Sequence, residues 1–215
     1  MTEKLFWESP YMTSLETVVT SVDGKTITLR ETIFYAFSGG QESDQGRIGG
    51  RQVLEARKAG FEIEYELPAG HGLRRGDRVH VEIDWPRRYN LMRLHFAAEL
   101  ILELVYRELG DVEKIGAHIS PGKARIDFHW PDNIAALFPE LTARAQAIID
   151  QDRVIVSAYA DESRQLRYWE VPGFGRVPCG GTHLKRTGEV GRLALKRRNI
   201  GRGKERIEVY ALADG

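Results

Sequence analysis

The chain has 215 residues, enough for one large domain or two small domains with a substantial hydrophobic core. Hydrophobic residues make up 42% of it and charged residues 29%, as in ordinary globular proteins. Its formal net charge is zero, which excludes whole-molecule attraction to nucleic acid and leaves that role to local basic patches.

A function in or across a membrane is not expected from this sequence. No apolar run approaches the roughly 18 residues that a membrane span needs. Residues 1–4 lack the basic start and apolar core of a signal peptide. Cys179 is the single cysteine, so no disulfide can form within the chain, and a thiolate ligand would stay reduced in the cytoplasm. We therefore expect a cytoplasmic protein.

The N-terminal part shows the alternation that is typical of β-strands. Residues 18–22 and 25–29 flank Asp23-Gly24, a dipeptide that favours a two-residue hairpin turn. Residues 61–67 and 78–84 also alternate with period two. Short strands separated by glycine turns favour a small β-barrel.

The pattern changes near Pro86. Asn90 is placed to cap a helix over residues 91–109, which Gly110 would end. Apolar residues lie nearly all round this helix, so we expect it to be buried. Further elements are predicted as a hairpin at 115–119 and 123–128, a helix at 132–151, a strand at 153–159, and paired strands at 191–197 and 205–212. The predicted fold class is α+β, with a β-barrel domain over residues 1–88 and an α+β domain over 89–215.

The strongest chemical feature is the segment 178–183, in which two glycines and a threonine separate Cys179 from His183. The glycines let the backbone turn tightly, so both side chains can face one point. Thiolate and imidazole are ligands that zinc prefers. Taken alone, however, a Cys-x-x-x-His segment is more often a buried cysteine and a loop histidine.

A second pair of ligand-type residues strengthens this interpretation. His95 and Glu99 lie four positions apart on the predicted helix, so both project from one face. We expect these two residues to form a zinc site with Cys179 and His183. The alternative for Glu99 is a surface carboxylate paired with Arg93 or Arg107.

A glycine-rich segment contains Gly39, Gly40, Gln41, Asp44 and Gly46. On composition alone, a flexible loop between strands is the preferred interpretation. The segment is not a P-loop, because the Lys-Ser/Thr pair of that motif is missing.

A basic segment follows near the C-terminus. Seven basic residues fall within fifteen positions and are opposed only by Glu205: Arg192, Lys196, Arg197, Arg198, Arg202, Lys204 and Arg206. A solvated hairpin and a phosphate-binding surface both account for such a cluster, and both stay open.

Together these segments resemble the freestanding alanyl-tRNA editing proteins (the AlaX family), which are related to the editing domain of alanyl-tRNA synthetase. The resemblance covers nearly the whole chain. The family motif Cys-Gly-Gly-Thr-His matches residues 179–183 completely, and Gly-Gly-Gln-x-x-Asp-x-Gly matches residues 39–46. The helix motif Arg-x-x-His-Thr-x-x-His matches in part around residues 91–95, and residues 203–208 are similar to the closing strand. Length and the preceding β-domain indicate the medium-sized class.

The resemblance implies a trans-editing hydrolase. Such an enzyme cleaves the ester between a wrong amino acid, usually serine or glycine, and the tRNA for alanine. The family's zinc ligands map onto His95, Cys179 and His183, and Gln41 would orient water or substrate. The residues expected to contact substrate or tRNA are Gly39, Gly40, Asp44, Arg192, Arg197, Arg198, Arg202 and Lys204.

The chain departs from the family helix motif at two positions. Glu99 replaces the second histidine and is expected either to complete the zinc site or to act as general base. Phe96 replaces the threonine that helps to recognise the substrate side chain, so a serine preference does not follow. Phe96 either narrows the substrate pocket or faces the core.

Two other functions remain as alternatives. In the first, four protein ligands close the zinc site, and the protein binds tRNA or other RNA without turnover. In the second, the protein is a metal-dependent hydrolase of a small ester or amide, which Phe96 and Glu99 suggest. Water bound to the metal would favour editing over the first alternative, because a closed four-ligand site leaves no position for it. Competition by bulk tRNA would separate editing from the second alternative.

Overall fold

The computed structural model describes residues 1–212, which form an α+β fold. Helix α1 spans Trp85–Leu109 and helix α2 spans Phe138–Asp150. Short 3-10 helices lie at Leu5–Trp7, Ile134–Leu137 and Thr187–Val190. The strands in chain order are β1 (Glu3–Lys4), β2 (Ser14–Asp23), β3 (Thr26–Leu29), β4 (Glu31–Thr32), β5 (Gly46–Ile48), β6 (Arg51–Gln52), β7 (Glu55–Ala59), β8 (Glu62–Glu66), β9 (Arg78–Ile83), β10 (Lys114–Ile119), β11 (Ala124–His129), β12 (Val156–Asp161), β13 (Leu166–Val171), β14 (Gly175–Pro178), β15 (Arg192–Gly201) and β16 (Lys204–Leu212).

The chain divides into two units. The first contains Met1–Ser38 and Glu42–Tyr89, and the second contains Gly39–Gln41 together with the chain from Asn90 onward. Three residues of the glycine-rich segment therefore belong to the second unit, although their neighbours on both sides belong to the first.

The first unit is built on a seven-stranded antiparallel sheet with the order β6-β5-β9-β2-β3-β8-β7. The predicted hairpin is confirmed: β2 pairs with β3, and Gly24 in the turn has φ +58°. Apolar side chains at alternate strand positions, such as Ile27, Tyr65 and Val81, are fully buried. Closure of this sheet into a barrel stays a prediction.

The second unit contains two antiparallel sheets, with the orders β10-β11-β16-β15 and β12-β13-β14. In the four-stranded sheet Ile126, Ile207 and Val209 point to one side and are buried. We call this side the core face and the opposite side the open face. The hairpin and the C-terminal strand pair expected from the sequence are confirmed, whereas β13 and β14 were not predicted.

Helix α1 begins earlier than the sequence pattern indicates. The predicted cap at Asn90 is wrong, because the helix already starts at Trp85. Asp84 caps it: Oδ1 of Asp84 accepts a hydrogen bond from the backbone N–H of Arg87 at 3.1 Å. Pro86 lies in the first turn, where its missing N–H costs nothing. Across residues 1–212 we find no helix that combines the length and the apolar character needed to cross a membrane.

Candidate metal centre

Four ligand-type side chains of the second unit converge on one point. His95 and Glu99 project from α1, while Cys179 and His183 lie in the loop that follows β14. Each offers one ligand atom, and these atoms all lie within 4.8 Å of one another. The structure thus brings together the four residues for which the sequence predicts a shared site.

The distances suit a small divalent cation with tetrahedral coordination. Nε2 of His95 lies 3.2 Å from Sγ of Cys179 and 3.3 Å from Oε1 of Glu99. Nε2 of His183 lies 3.3 Å from Oε2 of Glu99. Zinc bonds of about 2.0–2.3 Å in a tetrahedron place ligand atoms roughly 3.3–3.8 Å apart. The three contacts lie near this range, so the four side chains could hold one metal ion.

Both imidazole rings are oriented by an oxygen on their outer side. Nδ1 of His95 lies 2.5 Å from Oε1 of Gln41, and Nδ1 of His183 lies 3.2 Å from Oγ of Ser157. When each Nδ1 carries the proton and donates it to that oxygen, Nε2 keeps its lone pair and turns it into the cluster. This is the tautomer that a metal ligand requires.

Gln41 also holds the loop that carries the cysteine. Its Nε2 donates to Oγ1 of Thr182 at 2.9 Å, and its Oε1 accepts from the Thr182 backbone N–H at 3.3 Å. The Gln41 side chain is fully buried. A Cβ at Gly181 would lie 2.1 Å from Cε1 of His95, so only glycine allows this close approach.

The glycines before Gln41 bring it to this position. Gly39 and Gly40 have φ angles of +59° and +89°. The carbonyl of Gly40 accepts from the Ile119 N–H at 2.8 Å, and a Cβ on Gly40 would lie 2.8 Å from the Ala117 carbonyl oxygen. Glycine therefore lets this segment lie against β10. The predicted substrate contacts of Gly39 and Gly40 stay a prediction.

The four groups perturb one another's protonation. Burial alone would raise the pKa of Glu99, but the imidazoles of His95 and His183 lower it well below its ordinary value. Burial and Glu99 would raise the pKa of Cys179, but the same imidazoles lower it. Burial would lower the pKa of both histidines, and Glu99 and Cys179 instead raise it. These shifts favour the anionic forms of Glu99 and Cys179, and a divalent cation could neutralise both.

Asp44 has a different environment, within the first unit. Its side chain and that of Arg88 are fully buried and form an ion pair. Oδ1 accepts from Nε of Arg88 at 2.8 Å, and Oδ2 accepts from the Tyr35 N–H at 2.7 Å and from a second Arg88 nitrogen. These are the contacts of a structural ion pair. The predicted contact of Asp44 with substrate stays a prediction.

The structure distinguishes the alternatives for residues near the helix motif. Phe96 is fully buried, and its ring packs edge-on against Trp169 at 5.2 Å, so it faces the core. Arg93 donates to the carbonyls of Val190 and Leu212 at 2.8 and 2.7 Å. Glu99 instead contacts the two histidines, which does not favour the surface ion pair considered above.

The basic segment separates onto the two sides of the β15–β16 hairpin. Arg197 points to the core face, where it forms a bidentate pair with Glu205. Arg198 points to the open face and pairs with Glu208 at 3.2 Å. The other predicted tRNA-binding residues of this segment, which are all exposed, are Arg192, Arg202 and Lys204.

Sequence reasoning missed Ser157 and gave Thr182 no role of its own. Ser157 lies on β12, far from both ligand segments in sequence, and no motif marks it. The sequence does carry a signal for Thr182, because this residue lies between Cys179 and His183, two of the predicted metal ligands.

Comparisons with known proteins identify relatives of this chain. Residues 170–208, which include Cys179 and His183, match the family described as the threonyl and alanyl tRNA synthetase second additional domain. The chain is 32% identical over 214 residues to the alanyl-tRNA editing protein AlaX-M of Pyrococcus horikoshii, covering 98% of both chains.

Two further relatives extend the comparison. AlaX-M of Saccharolobus solfataricus is 31% identical, with 96% of this chain and 98% of that protein covered. The alanine–tRNA ligase of Ignicoccus hospitalis is 33% identical over 98% of this chain, which corresponds to 26% of the ligase. The chain belongs to the family of alanyl-tRNA editing proteins, AlaX-M.

Proposed function

We propose that this protein is a trans-editing hydrolase that removes serine or glycine from mischarged tRNA for alanine, with zinc bound at the four-residue centre. Trans-editing of mischarged tRNA agrees with the family to which the chain belongs. The observation that carries the finer proposal is the convergence of His95, Glu99, Cys179 and His183, of which the two histidines are buried.

The donor set supports zinc as the metal. Two imidazole nitrogens, one thiolate and one carboxylate oxygen form a mixed set of moderately soft ligands, which zinc accepts and which magnesium or calcium would not select. When bound, zinc would polarise the ester carbonyl or lower the pKa of a water molecule to about 7.

The side chains around the cluster have separate roles in this proposal. Gln41 holds His95 and the Thr182 backbone in place and thereby fixes the cysteine loop. Glu99 is 17% exposed, so it can either ligate the metal or take a proton from an attacking water molecule. An aminoacyl ester is already activated, so a positioned water molecule and stabilisation of developing negative charge suffice for hydrolysis.

The remaining predictions from sequence enter as proposals. Residues 1–88 would form the β-barrel domain and residues 89–215 the editing domain, and the protein would work in the cytoplasm. Gly39, Gly40 and Asp44 would contact substrate, and Arg192, Arg197, Arg198, Arg202 and Lys204 would contact tRNA. The exposure of most of these basic residues supports the tRNA contacts.

A panel of mischarged tRNAs tests the function. We expect release of serine or glycine from the tRNA for alanine, while correctly charged Ala-tRNA stays largely intact. Discrimination by buried polar groups predicts this asymmetry for serine, because alanine lacks the hydroxyl and leaves those groups unpaired. No turnover of any mischarged tRNA at micromolar enzyme would overturn the proposal.

One alternative function keeps support from the structure. The cluster supplies four protein ligands, the number of a closed structural zinc site, and such a protein would bind RNA without turnover. The deacylation panel separates this alternative from editing. The other alternative, a hydrolase of a small ester or amide, was suggested by Phe96 and Glu99. Phe96 no longer supports it, because its ring packs against Trp169 in the core.

A further inference from the structure

The open face of the four-stranded sheet in the second unit carries an excess of basic side chains. Strand register places alternate residues of β11, β15 and β16 on this side. Six basic residues occupy these positions: Arg125, Arg192, Lys196, Arg198, Lys204 and Arg206. Two acidic residues, Asp127 and Glu208, lie on the same side of the sheet. The open face therefore has an excess of four positive charges, although the net charge of the whole chain is zero.

The two carboxylates lie beneath the cations. Asp127 and Glu208 are nearly buried, and each is shared between two basic groups. Asp127 pairs with Arg125 and with Arg206, whose Nε lies 2.6 Å from Oδ1. Glu208 pairs with Arg198 and with Lys123, which reaches in from the turn before β11.

This arrangement positions the cations without cancelling their charge. Each buried carboxylate holds its two basic partners in place, so less side-chain entropy is lost when those partners bind an anion. Arg198 is still 65% exposed and Lys123 40% exposed, which leaves donors available to a ligand. Lys196 lies over the ring of Tyr210 at the outer strand of the sheet. The face therefore suits a large polyanion better than a single small ion.

The edge of this sheet leads to the metal centre. At β10, Ile119 pairs with the segment that carries Gly40 and Gln41. Gln41 in turn contacts His95 of the metal centre. Strand β10, the edge of the sheet opposite β15, is therefore separated from the metal centre by the short segment that carries Gly40 and Gln41. His118 of β10 shares the open face with Arg125, its neighbour across the strands.

We propose that this open face binds the phosphate backbone of the tRNA substrate, so that the aminoacylated end passes over β10 to the metal centre. The proposal rests on the proposed editing function and names the surface that serves it. The occupant follows from charge complementarity, since arginine and lysine bind phosphate by charge-assisted hydrogen bonds and release counterions on binding.

Binding of uncharged tRNA for alanine at several salt concentrations tests the surface directly. The test variant carries Lys196→Gln and Arg198→Gln, and the matched control carries Arg74→Gln and Arg75→Gln, two exposed arginines of the first unit. We expect the test variant to bind tRNA at least tenfold more weakly. The slope of log K against log salt should fall by about one for each phosphate that the variant no longer neutralises. The control should keep the affinity and slope of the unmodified protein.

Three outcomes would overturn the proposal. The first is an unchanged affinity and salt slope in the test variant, and the second is an equal loss of affinity in the control. The third is displacement of the bound, labelled tRNA by polyglutamate but not by unlabelled tRNA. Circular dichroism and thermal unfolding verify that both variants are folded. Hydrolysis of a minimal seryl-adenosine ester by the unmodified protein keeps the two proposals apart. Turnover of that ester with unchanged tRNA binding in the test variant overturns the surface alone, whereas no turnover of any aminoacyl ester overturns the editing function.

Discussion

Two buried polar clusters, one in each unit, draw on the same glycine-rich segment with different results. In the first unit, Asp44 pairs with Arg88, and both oxygens of the carboxylate accept hydrogen bonds from the protein. In the second unit, Gln41 supports a cluster of two imidazoles, a thiol and a carboxyl group. Three positions along the chain thus separate a residue held in an ion pair with Arg88 from one that contacts the four-residue cluster.

The difference lies in how charge is compensated. Arg88 has a fixed positive charge, so the Asp44 pair is neutral without any added ion. The cluster at His95 contains two potential anions, Glu99 and Cys179, and its other two members are imidazoles, whose charge depends on protonation. A buried polar group whose hydrogen bonds and charge are matched by neighbouring protein groups needs no ligand. Several buried polar groups that converge without a permanently charged partner indicate a bound ligand.

Loss of the thiolate should have the largest effect on the metal centre. We expect the unmodified protein to carry about one zinc per chain and Cys179→Ala to lose nearly all metal and deacylation, since no nearby side chain replaces the thiolate. Gly180→Ala is the matched control in the same loop, where a Cβ meets open space. Elemental analysis and deacylation measure both variants. Full zinc and full activity in Cys179→Ala would contradict the site.

The ion pair of the first unit should respond in stability rather than in metal content. Asp44→Asn leaves the buried Arg88 charge without its partner, so we expect a loss of about 3–5 kcal/mol in the free energy of unfolding. Glu42→Gln, which removes a partly exposed pair with Arg87, should cost under about 1 kcal/mol. Urea unfolding gives both values. If folded Asp44→Asn loses zinc as Cys179→Ala does, the contrast between the two clusters is wrong.

Two substitutions at Glu99 separate a ligand from a general base. Glu99→His restores the family pattern and should keep zinc if this position supplies a ligand. Glu99→Gln should keep much of the metal and lose deacylation by a hundredfold or more if Glu99 accepts the proton of water, because an amide cannot. Zinc content and single-turnover deacylation are measured on both proteins. Unchanged zinc and unchanged deacylation in both variants would assign Glu99 neither role.

The sequence predicted which four side chains converge better than it predicted their surroundings. Spacing of four on a helix and the tight Cys-Gly-Gly-Thr-His loop are local patterns, and each fixes two side chains relative to one another. Ser157 carries no such signal, because only the pairing of β12 with β13 brings it to the site. The sequence pattern does not indicate the early start of α1, because proline often marks a helix boundary, although the first turn of a helix tolerates it.

The role of Asp44 shows a second limit of the same kind. Its partner Arg88 is 44 residues away, in a segment without any recognisable motif. A motif position therefore shows that a residue matters to the fold or to the site, and only its contacts decide which of the two it serves.

The residues behind the histidines should have a smaller effect than the ligands themselves. Gln41→Ala removes the acceptor for Nδ1 of His95, so we expect zinc affinity to fall about 10- to 100-fold. Ser157→Ala should cost less, since Ser157 is exposed and water can replace its hydroxyl. Competition with a chelator measures the affinity, with Ser163→Ala, which lies in the turn after β12, as control. A loss in Ser157→Ala larger than that in Gln41→Ala would contradict this order.

The smallest effect is expected from Glu208, a buried carboxylate that, like Asp44, is paired with basic side chains of the protein. Hydrogen bonding to Lys123 and Tyr210, despite partial desolvation, holds the pKa of Glu208 below its ordinary value of 4.5. Because the folded pKa is the lower one, the stability that Glu208 contributes is fully present above pH 4.5 and is lost as the pH falls through the folded value. Glu208→Gln should therefore be less stable than the unmodified protein at pH 7, and this gap should close toward pH 3.

Urea midpoints across that range measure the gap, and the metal site contributes equally to both proteins, so the difference isolates Glu208. Glu162→Gln, at an exposed position, is the control and should show a much smaller gap. A gap that stays constant with pH would mean that Glu208 stabilises the sheet through packing alone. Its charge would then not hold Arg198 and Lys123 in place on the open face.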